Sequence, residues 1–320
     1  MTSIDCLICK KKDNIKFIDN YKFEVESDIE YFGKLKIFGC KECNIYFTDS
    51  VPGLKELDYY YSNVYRAQGR PHNIEYNYSE DSYKDEKFLN YFSYLSTFIN
   101  FKEIRSIFDF GAGTGDLGHL IKKEFNHIDL YCYEHDKYSL DILKKRGYHN
   151  FNDLNQIDKK FDLIISLHSI EHLTNLDPLF TLKNLIKKNG YFFFEVPNCP
   201  FEKNFINRPY DAPHLIFFTK KSWEKIAELV SLNLLNLSYA SYSLEDAFVY
   251  MAESKKRFGK YKEGSTDYRR ILKRIIPNFA LNIRKKINQA NKNKTTEASG
   301  NLINNNENSW CLRGIFKKNN

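Results

Sequence analysis

The stretch from residue 107 to 120, IFDFGAGTGDLGHL, decides how the rest of the chain is read. An apolar run ends in three glycines, Gly111, Gly113 and Gly115, spaced G-x-G-x-G. Glycine takes positive φ freely and lets backbone approach a ligand closely. A dinucleotide-binding turn has the spacing G-x-G-x-x-G. Its third glycine would fall at position 116, where this chain carries Asp. Asp109 stands two residues before the turn, a place where a carboxylate suits a cation or an amine better than a pyrophosphate.

Outward from this turn, strand and helix patterns alternate. The segments 104–110, 130–136, 161–167 and 190–198 are short apolar runs, and helical periodicity fills 117–125, 138–146, 171–188 and 222–230. Alternation at this spacing predicts a parallel sheet with helices on both faces. Runs such as LIISL and YFFFEV fit strands buried on both sides. Two further strands are expected at 233–240 and 309–318.

The pattern resembles the class I S-adenosylmethionine-dependent methyltransferases over roughly residues 104–240. The match rests on apolar residues, an acid and G-x-G-x-G, and on Glu134 ending the next strand 19 residues past Gly115. The resemblance implies a Rossmann-like seven-stranded α/β sheet flanked by helices. It also implies S-adenosylmethionine contacts from Asp109, Phe110, Gly111, Gly113, Gly115, Glu134, His135, Asn152, Asp153 and Leu167. Glu134 is placed to accept two hydrogen bonds from the ribose hydroxyls. Asn152 and Asp153 stand where the family has a residue near the adenine.

Four of the seven cysteines form two C-x-x-C pairs, Cys6 with Cys9 and Cys40 with Cys43. In a reducing compartment such pairs favour metal over disulfide. Four thiolates close a tetrahedral zinc, so the expected site is structural. A zinc unit ahead of this domain is similar to a subgroup that includes sugar C-methyltransferases. The expected layout is a zinc-ribbon-like unit at 1–50, a helical connector or lid at 51–100, and the methyltransferase domain at 101–320. A basic insertion at 241–307 precedes the last strand.

The segment SLHSIEHL, 166–173, contains H-x-x-E-H, a pattern also found in zinc hydrolases. A hydrolase needs that pattern wholly on a helix. Here His168 directly follows the fourth strand, and Glu171 and His172 are expected to begin the next helix. Groups at that edge face the reacting atoms in this fold. His168, Glu171, His172 and His214 are therefore the catalytic candidates. Either His168 or His214 acts as the base that takes a hydroxyl proton, or His168, Glu171 and His172 hold a divalent cation. Tyr76, Tyr78, Tyr83 and Tyr210 are candidates to line the acceptor pocket.

The net charge of +7 is concentrated: residues 255–294 carry 14 Lys or Arg and two acids. A basic body of the nucleic-acid-binding kind is thereby disfavoured, and DNA amino methylation lacks its [ND]-P-P-[YF] turn. Apolar positions at helical spacing in that segment suit peripheral membrane contact. No secretory signal or transmembrane run is evident, and a cytoplasmic location is expected. The expected reaction is O-methylation of a small acceptor, a carbohydrate or nucleotide sugar, in surface-polysaccharide synthesis. C- or N-methylation of a nucleotide sugar, or a non-catalytic binding protein, are the alternatives.

Overall fold

In the computed structural model the described residues are 4–21, 28–50, 52–67, 79–199, 214–243 and 309–319. Tyr76, Tyr78, Tyr210 and the basic segment 255–294 lie outside them. The first strand of the large sheet is the run that leads into the glycine turn. All five residues of Ser106–Phe110 are buried. Alternate side chains supply the two layers of core: Phe108 and Phe110 face one cluster, and Ile107 faces the other.

Eleven strands are described. β1 (Ile15–Asn20), β2 (Lys36–Cys40) and β3 (Ile45–Thr48) come from the N-terminal region. β4 (Ser106–Phe110), β5 (Asp129–Tyr133), β6 (Tyr148–Asn150), β7 (Phe161–Leu167) and β8 (Ile186–Pro197) follow. β9 (Ile216–Phe217), β10 (Asn233–Ser243) and β11 (Ser309–Lys317) complete the set. The large sheet has seven strands in the order β10-β11-β8-β7-β4-β5-β6. Strands β6, β5, β4, β7 and β8 run parallel, and β11 is antiparallel to β8. This is the mixed Rossmann-like sheet expected of a class I methyltransferase.

The principal helices are α1 (Ile29–Phe32), α2 (Leu54–Tyr59), α3 (Glu86–Ser96), α4 (Asp116–Glu124), α5 (Lys137–Lys145), α6 (Asp177–Leu185) and α7 (Lys220–Val230). Trp223 of α7 is fully buried and stacks on Phe194 of β8, with ring centroids 3.7 Å apart. No helix among the described residues is long and apolar enough to cross a membrane.

Two local expectations change. The segment Ile186–Lys188 belongs to β8 rather than to the end of a helix. Ile186 pairs with Phe161, and the register shifts before Leu163 meets Tyr191. Asn189 takes φ of +61° within that irregularity. Glu171 and His172 lie in a single 3₁₀ turn, Ile170–His172, and α6 begins only at Asp177. Leu173, in extended conformation, ends that turn.

The N-terminal strands are stitched to the sheet's carboxyl edge. β9 pairs with β3, so the second sheet runs β1-β2-β3-β9. The Thr219 hydroxyl donates to the Asn44 carbonyl at 2.7 Å, and Tyr21 donates to the carbonyl of His214 at 2.8 Å.

Candidate active site

The glycine turn joins β4 to α4. Gly111, Gly113 and Gly115 have φ of +67°, +53° and +69°. A side chain at Gly111 would collide with Ser169, whose hydroxyl donates to the Gly111 carbonyl at 3.0 Å. That bond ties the ends of β4 and β7 together. A Cβ on Gly113 would sit 3.0 Å from Arg66 Nη2. Backbone and an arginine therefore border the space beside the turn.

Glu134 follows β5 and turns back to this loop. Its Oε2 accepts from the Gly113 amide at 2.7 Å. Its Oε1 accepts from the amides of His135 and Asp136 at 2.8 and 2.9 Å. Asn150, at the end of β6, braces the Glu134 backbone from below, accepting its amide at 3.0 Å.

Asp109 is buried beneath the turn. Burial, then the charges of Glu134 and Asp116, pushes its carboxyl up to about 8. It is mostly protonated at neutral pH. Phe110 stacks flat on Tyr133, at 5.6 Å and 2°. The His135 imidazole meets Asp58 at 3.3 Å. Asn152 is exposed and accepts from Asn150 at 3.3 Å. The Asp153 carboxylate caps the turn Leu154–Gln156, accepting the Asn155 amide at 2.9 Å. Leu167 is the half-buried last residue of β7.

Three residues here were not singled out from sequence. Asp116 is buried and accepts from Arg146 Nη1 at 2.8 Å, from Thr114 and from Ser82. Arg146 also donates to the Thr114 carbonyl at 2.7 Å, so this ion pair clamps the turn. Arg66 lies 3.7 Å from the buried Asp136.

Beside Ser169, the structure brings the predicted catalytic side chains His168, His172 and His214 around Glu171. Glu171 is 1% exposed. His168 Nδ1 stands 3.6 Å and His214 Nε2 4.0 Å from its Oε1. The rings of His172 and His214 meet at 4.8 Å and 72°. The Leu215 amide donates to the Glu171 carbonyl at 2.8 Å, which fixes His214 to the turn.

His168 leaves β7 with φ of +52°, and its amide donates to the Glu195 carbonyl at 2.8 Å. Its Nε2 is 3.3 Å from Glu195 Oε1. Desolvation opposes its charge, but the neighbouring Cys311, Glu171 and Glu195 outweigh that and raise its pKa well above 6.5. The carboxylates on either side of the ring favour its imidazolium form. Tyr83, the described member of the predicted tyrosines, packs edge-on against His119 at 4.9 Å.

Glu195 anchors this network, accepting from Arg313 Nε at 2.8 Å and from Tyr91. Burial works against its charge, but Arg313 and His168 hold its carboxyl down at about 2, against an ordinary 4.5. A depressed carboxyl stabilises the fold above the unfolded value and loses that contribution as pH falls. Glu195→Gln should therefore cost about 3 kcal/mol at pH 7, the free energy of that shift. The gap to wild type should close between pH 4.5 and 2. Urea unfolding at pH 7 and pH 3 measures both, and an equal gap at the two pH values would contradict the assignment.

At the N-terminus the four cysteines Cys6, Cys9, Cys40 and Cys43 face one another, their sulfurs all within 4.8 Å. Each pair forms a matching knuckle. The Lys10 amide bonds the Cys6 carbonyl and the Asn44 amide bonds the Cys40 carbonyl, at 3.1 and 2.8 Å. Lys10 and Asn44 have φ of +59° and +52°. Amides of Ile8 and Cys43 point at Cys6 and Cys40 sulfurs, at 3.4 and 3.5 Å.

Residues 81–237 match a family model described as a methyltransferase domain. No sequence among curated proteins matches the chain. Solved structures with a similar course include coclaurine N-methyltransferase bound to N-methylheliamine and S-adenosylhomocysteine. It is 16% identical, with 76% of this chain and 74% of that chain covered and a TM-score of 0.46. The O-methyltransferase of a trans-AT polyketide synthase of Brevibacillus brevis, in complex with S-adenosyl-L-homocysteine, is also similar. It is 16% identical, covering 80% and 83%, with a TM-score of 0.46. A SAM-dependent methyltransferase from Archaeoglobus fulgidus is 16% identical, covering 75% and 97%, with a TM-score of 0.41. The family model lies over the glycine turn, Glu134 and the edge of β7, so residues 81–237 form a methyltransferase domain.

Proposed function

We propose that the chain methylates a hydroxyl of a small acceptor, a carbohydrate or a nucleotide sugar. The observation that carries this reading is the convergence of Glu171, His172 and His214 on one buried point, at the strand edge that also holds the glycine turn. Such a group suits removal of a hydroxyl proton. An amine acceptor, already nucleophilic when neutral, has less need of it. The four-cysteine unit favours sugars, by its resemblance to zinc-bearing sugar methyltransferases.

The cofactor supplies the methyl group and a sulfonium leaving group. The protein's task is to hold and align. In our reading the turn Gly111–Gly115 borders the methionyl part, and Glu134 holds the ribose hydroxyls with the acceptor capacity left on its carboxylate. Arg66 is suited to the methionyl carboxylate, since a guanidinium binds carboxylates through paired N–H groups. Phe110, His135, Asn152 and Leu167 border the remainder. Asp153 and Asp109 act through the backbone they support. His168, as a fixed cation, positions Glu171 and Glu195 rather than accepting a proton.

The cysteine cluster fits one zinc ion. Sulfurs bound at about 2.3 Å to a tetrahedral ion lie about 3.8 Å apart. Cys9 and Cys40 sulfurs are 3.9 Å apart, far beyond a disulfide bond. Backbone amides aimed at two of the sulfurs would stabilise thiolates.

Calorimetry of S-adenosylmethionine binding tests the cofactor assignment. Glu134→Ala should weaken binding by about 1.5–3 kcal/mol, the range for hydrogen bonds to a charged group. Unchanged affinity would remove Glu134 from the site.

A further inference from the structure

We propose that Glu171, His172 and His214 hold a divalent cation, and that this ion receives the acceptor oxygen. The proposal rests on the reading of this edge as the acceptor side and goes beyond it by naming what binds there.

One ligand atom from each residue lies within 4.8 Å of the others. A buried carboxylate is normally hydrogen-bonded or paired at short range, because desolvation is costly otherwise. Glu171 is 1% exposed, yet neither of its oxygens makes a hydrogen bond. Its nearest histidine nitrogens, at 3.6 and 4.0 Å, stand outside the 2.7–2.9 Å or so of a charge-assisted bond. Ligand atoms bound at about 2.0–2.2 Å to one ion stand about 3–4 Å apart. The gap between His214 and Glu171 is of that size.

A second buried polar group points the same way. The Tyr61 hydroxyl is buried without a hydrogen bond, and the Tyr61 ring meets the edge of His172 at 5.8 Å. Desolvation, joined by the charges of Tyr65, Tyr60, Tyr21 and Glu171, raises the Tyr61 pKa well above its ordinary value, so it remains a phenol. A hydrated ion would give that phenol an acceptor and Glu171 a partner together.

The neighbouring group of His168, Glu195 and Cys311 offers the contrast. There Glu195 is already satisfied by Arg313 and Tyr91. His168 is turned towards that network, so His214, 43 residues after Glu171, takes the place in the cation site that sequence spacing gave to His168.

Two imidazoles and one carboxylate suit a divalent transition ion, and three protein ligands leave positions open. The four-thiolate cluster is closed and selects a softer ion. An acceptor hydroxyl at an open position would ionise more readily, its proton passing to solvent. An acceptor with a second adjacent oxygen would chelate the ion, and a sugar diol has that form.

The test uses the full chain with its zinc retained and Mn²⁺ alone as the probe, because manganese prefers nitrogen and oxygen ligands to thiolates. Loss of the free Mn²⁺ signal in electron paramagnetic resonance reports binding. One Mn²⁺ per chain is expected, with affinity reduced at least about tenfold in Glu171→Gln and in His214→Gln, the scale of a lost ligand contact. S-adenosylmethionine binding by calorimetry shows that both variants are folded. Wild type that binds no Mn²⁺, or variants that bind it equally, would overturn the proposal. S-adenosylhomocysteine release with a panel of nucleotide sugars separates the two readings. If Mn²⁺ does not bind while Glu171→Gln still loses turnover, the cation is refuted and the acceptor edge stands. If Mn²⁺ binds through these residues while both variants keep full turnover, the ion site is supported but the acceptor edge is refuted, and with it the ion's role in receiving the acceptor.

Discussion

Cys43→Ser should yield a chain that holds no zinc and has lost its N-terminal sheet. Zinc binding by four-thiolate or similar sites is worth about 10–16 kcal/mol in small domains, as much as whole domains have in net stability. Here the ion would clamp two knuckles that contribute few apolar residues of their own, Ile8 and Ile45 among them. The effect should not stop at that unit. β3 pairs with β9, Thr219 bonds Asn44, and Tyr21 holds the His214 carbonyl. Loss of the knuckles would therefore loosen His214, lowering turnover as well as stability. Because the variant can fail to fold at all, the wild type carries a second measurement. Metal analysis should find one zinc per chain, and Cys6, Cys9, Cys40 and Cys43 should react with a thiol reagent only after a strong chelator is added. Four thiols that react freely without chelator, and no zinc, would end the assignment.

The parts of the fold that sequence revealed are those whose causes are local. The strand, turn and helix from 104 to 125 follow from a run buried on both faces and from glycines needed at positive φ. Glu134 could be located because it ends the very next strand. Other features depend on partners distant in sequence. Asp116 was noted only as a residue that is not glycine. Its role comes from Ser82 and Arg146, 34 and 30 residues away. The extension of β8 through Lys187 and Lys188 was read as helix, since lysines suit a helix C-terminus. Lys187 instead reaches Asp162 at 2.9 Å across the sheet. The charge state of His168 was equally hidden. Its carboxylate partner Glu195 lies on the adjacent strand, and Arg313, which holds Glu195, comes from the last one. Pairing of β9 with β3 has no local signature in a strand of two residues.

His214→Ala should lower turnover by about 10²–10⁴-fold, the usual worth of assistance to removal of an acceptor proton, while S-adenosylmethionine affinity stays within about twofold. The separation is physical. Glu134 bonds the glycine turn, whereas His214 stands beside Glu171. His168→Gln distinguishes activation from positioning. An imidazolium bonded to Glu195 cannot accept another proton, so His168 should contribute through the arrangement of the carboxylates beside it. Its replacement should cost turnover less than about tenfold, and stability more, because the buried carboxylates Glu195 and Glu171 would lose a neighbouring cation. S-adenosylhomocysteine release, measured with any nucleotide sugar the wild type methylates, reads the first effect, and thermal melting reads the second. If His168→Gln falls as far as His214→Ala at unchanged stability, His168 is the proton acceptor. The hydrogen bond to Glu195 would then have to break when the acceptor arrives. Should both variants keep full turnover, neither histidine touches the reaction. Alignment by the walls of the cleft would then have to account for the whole rate.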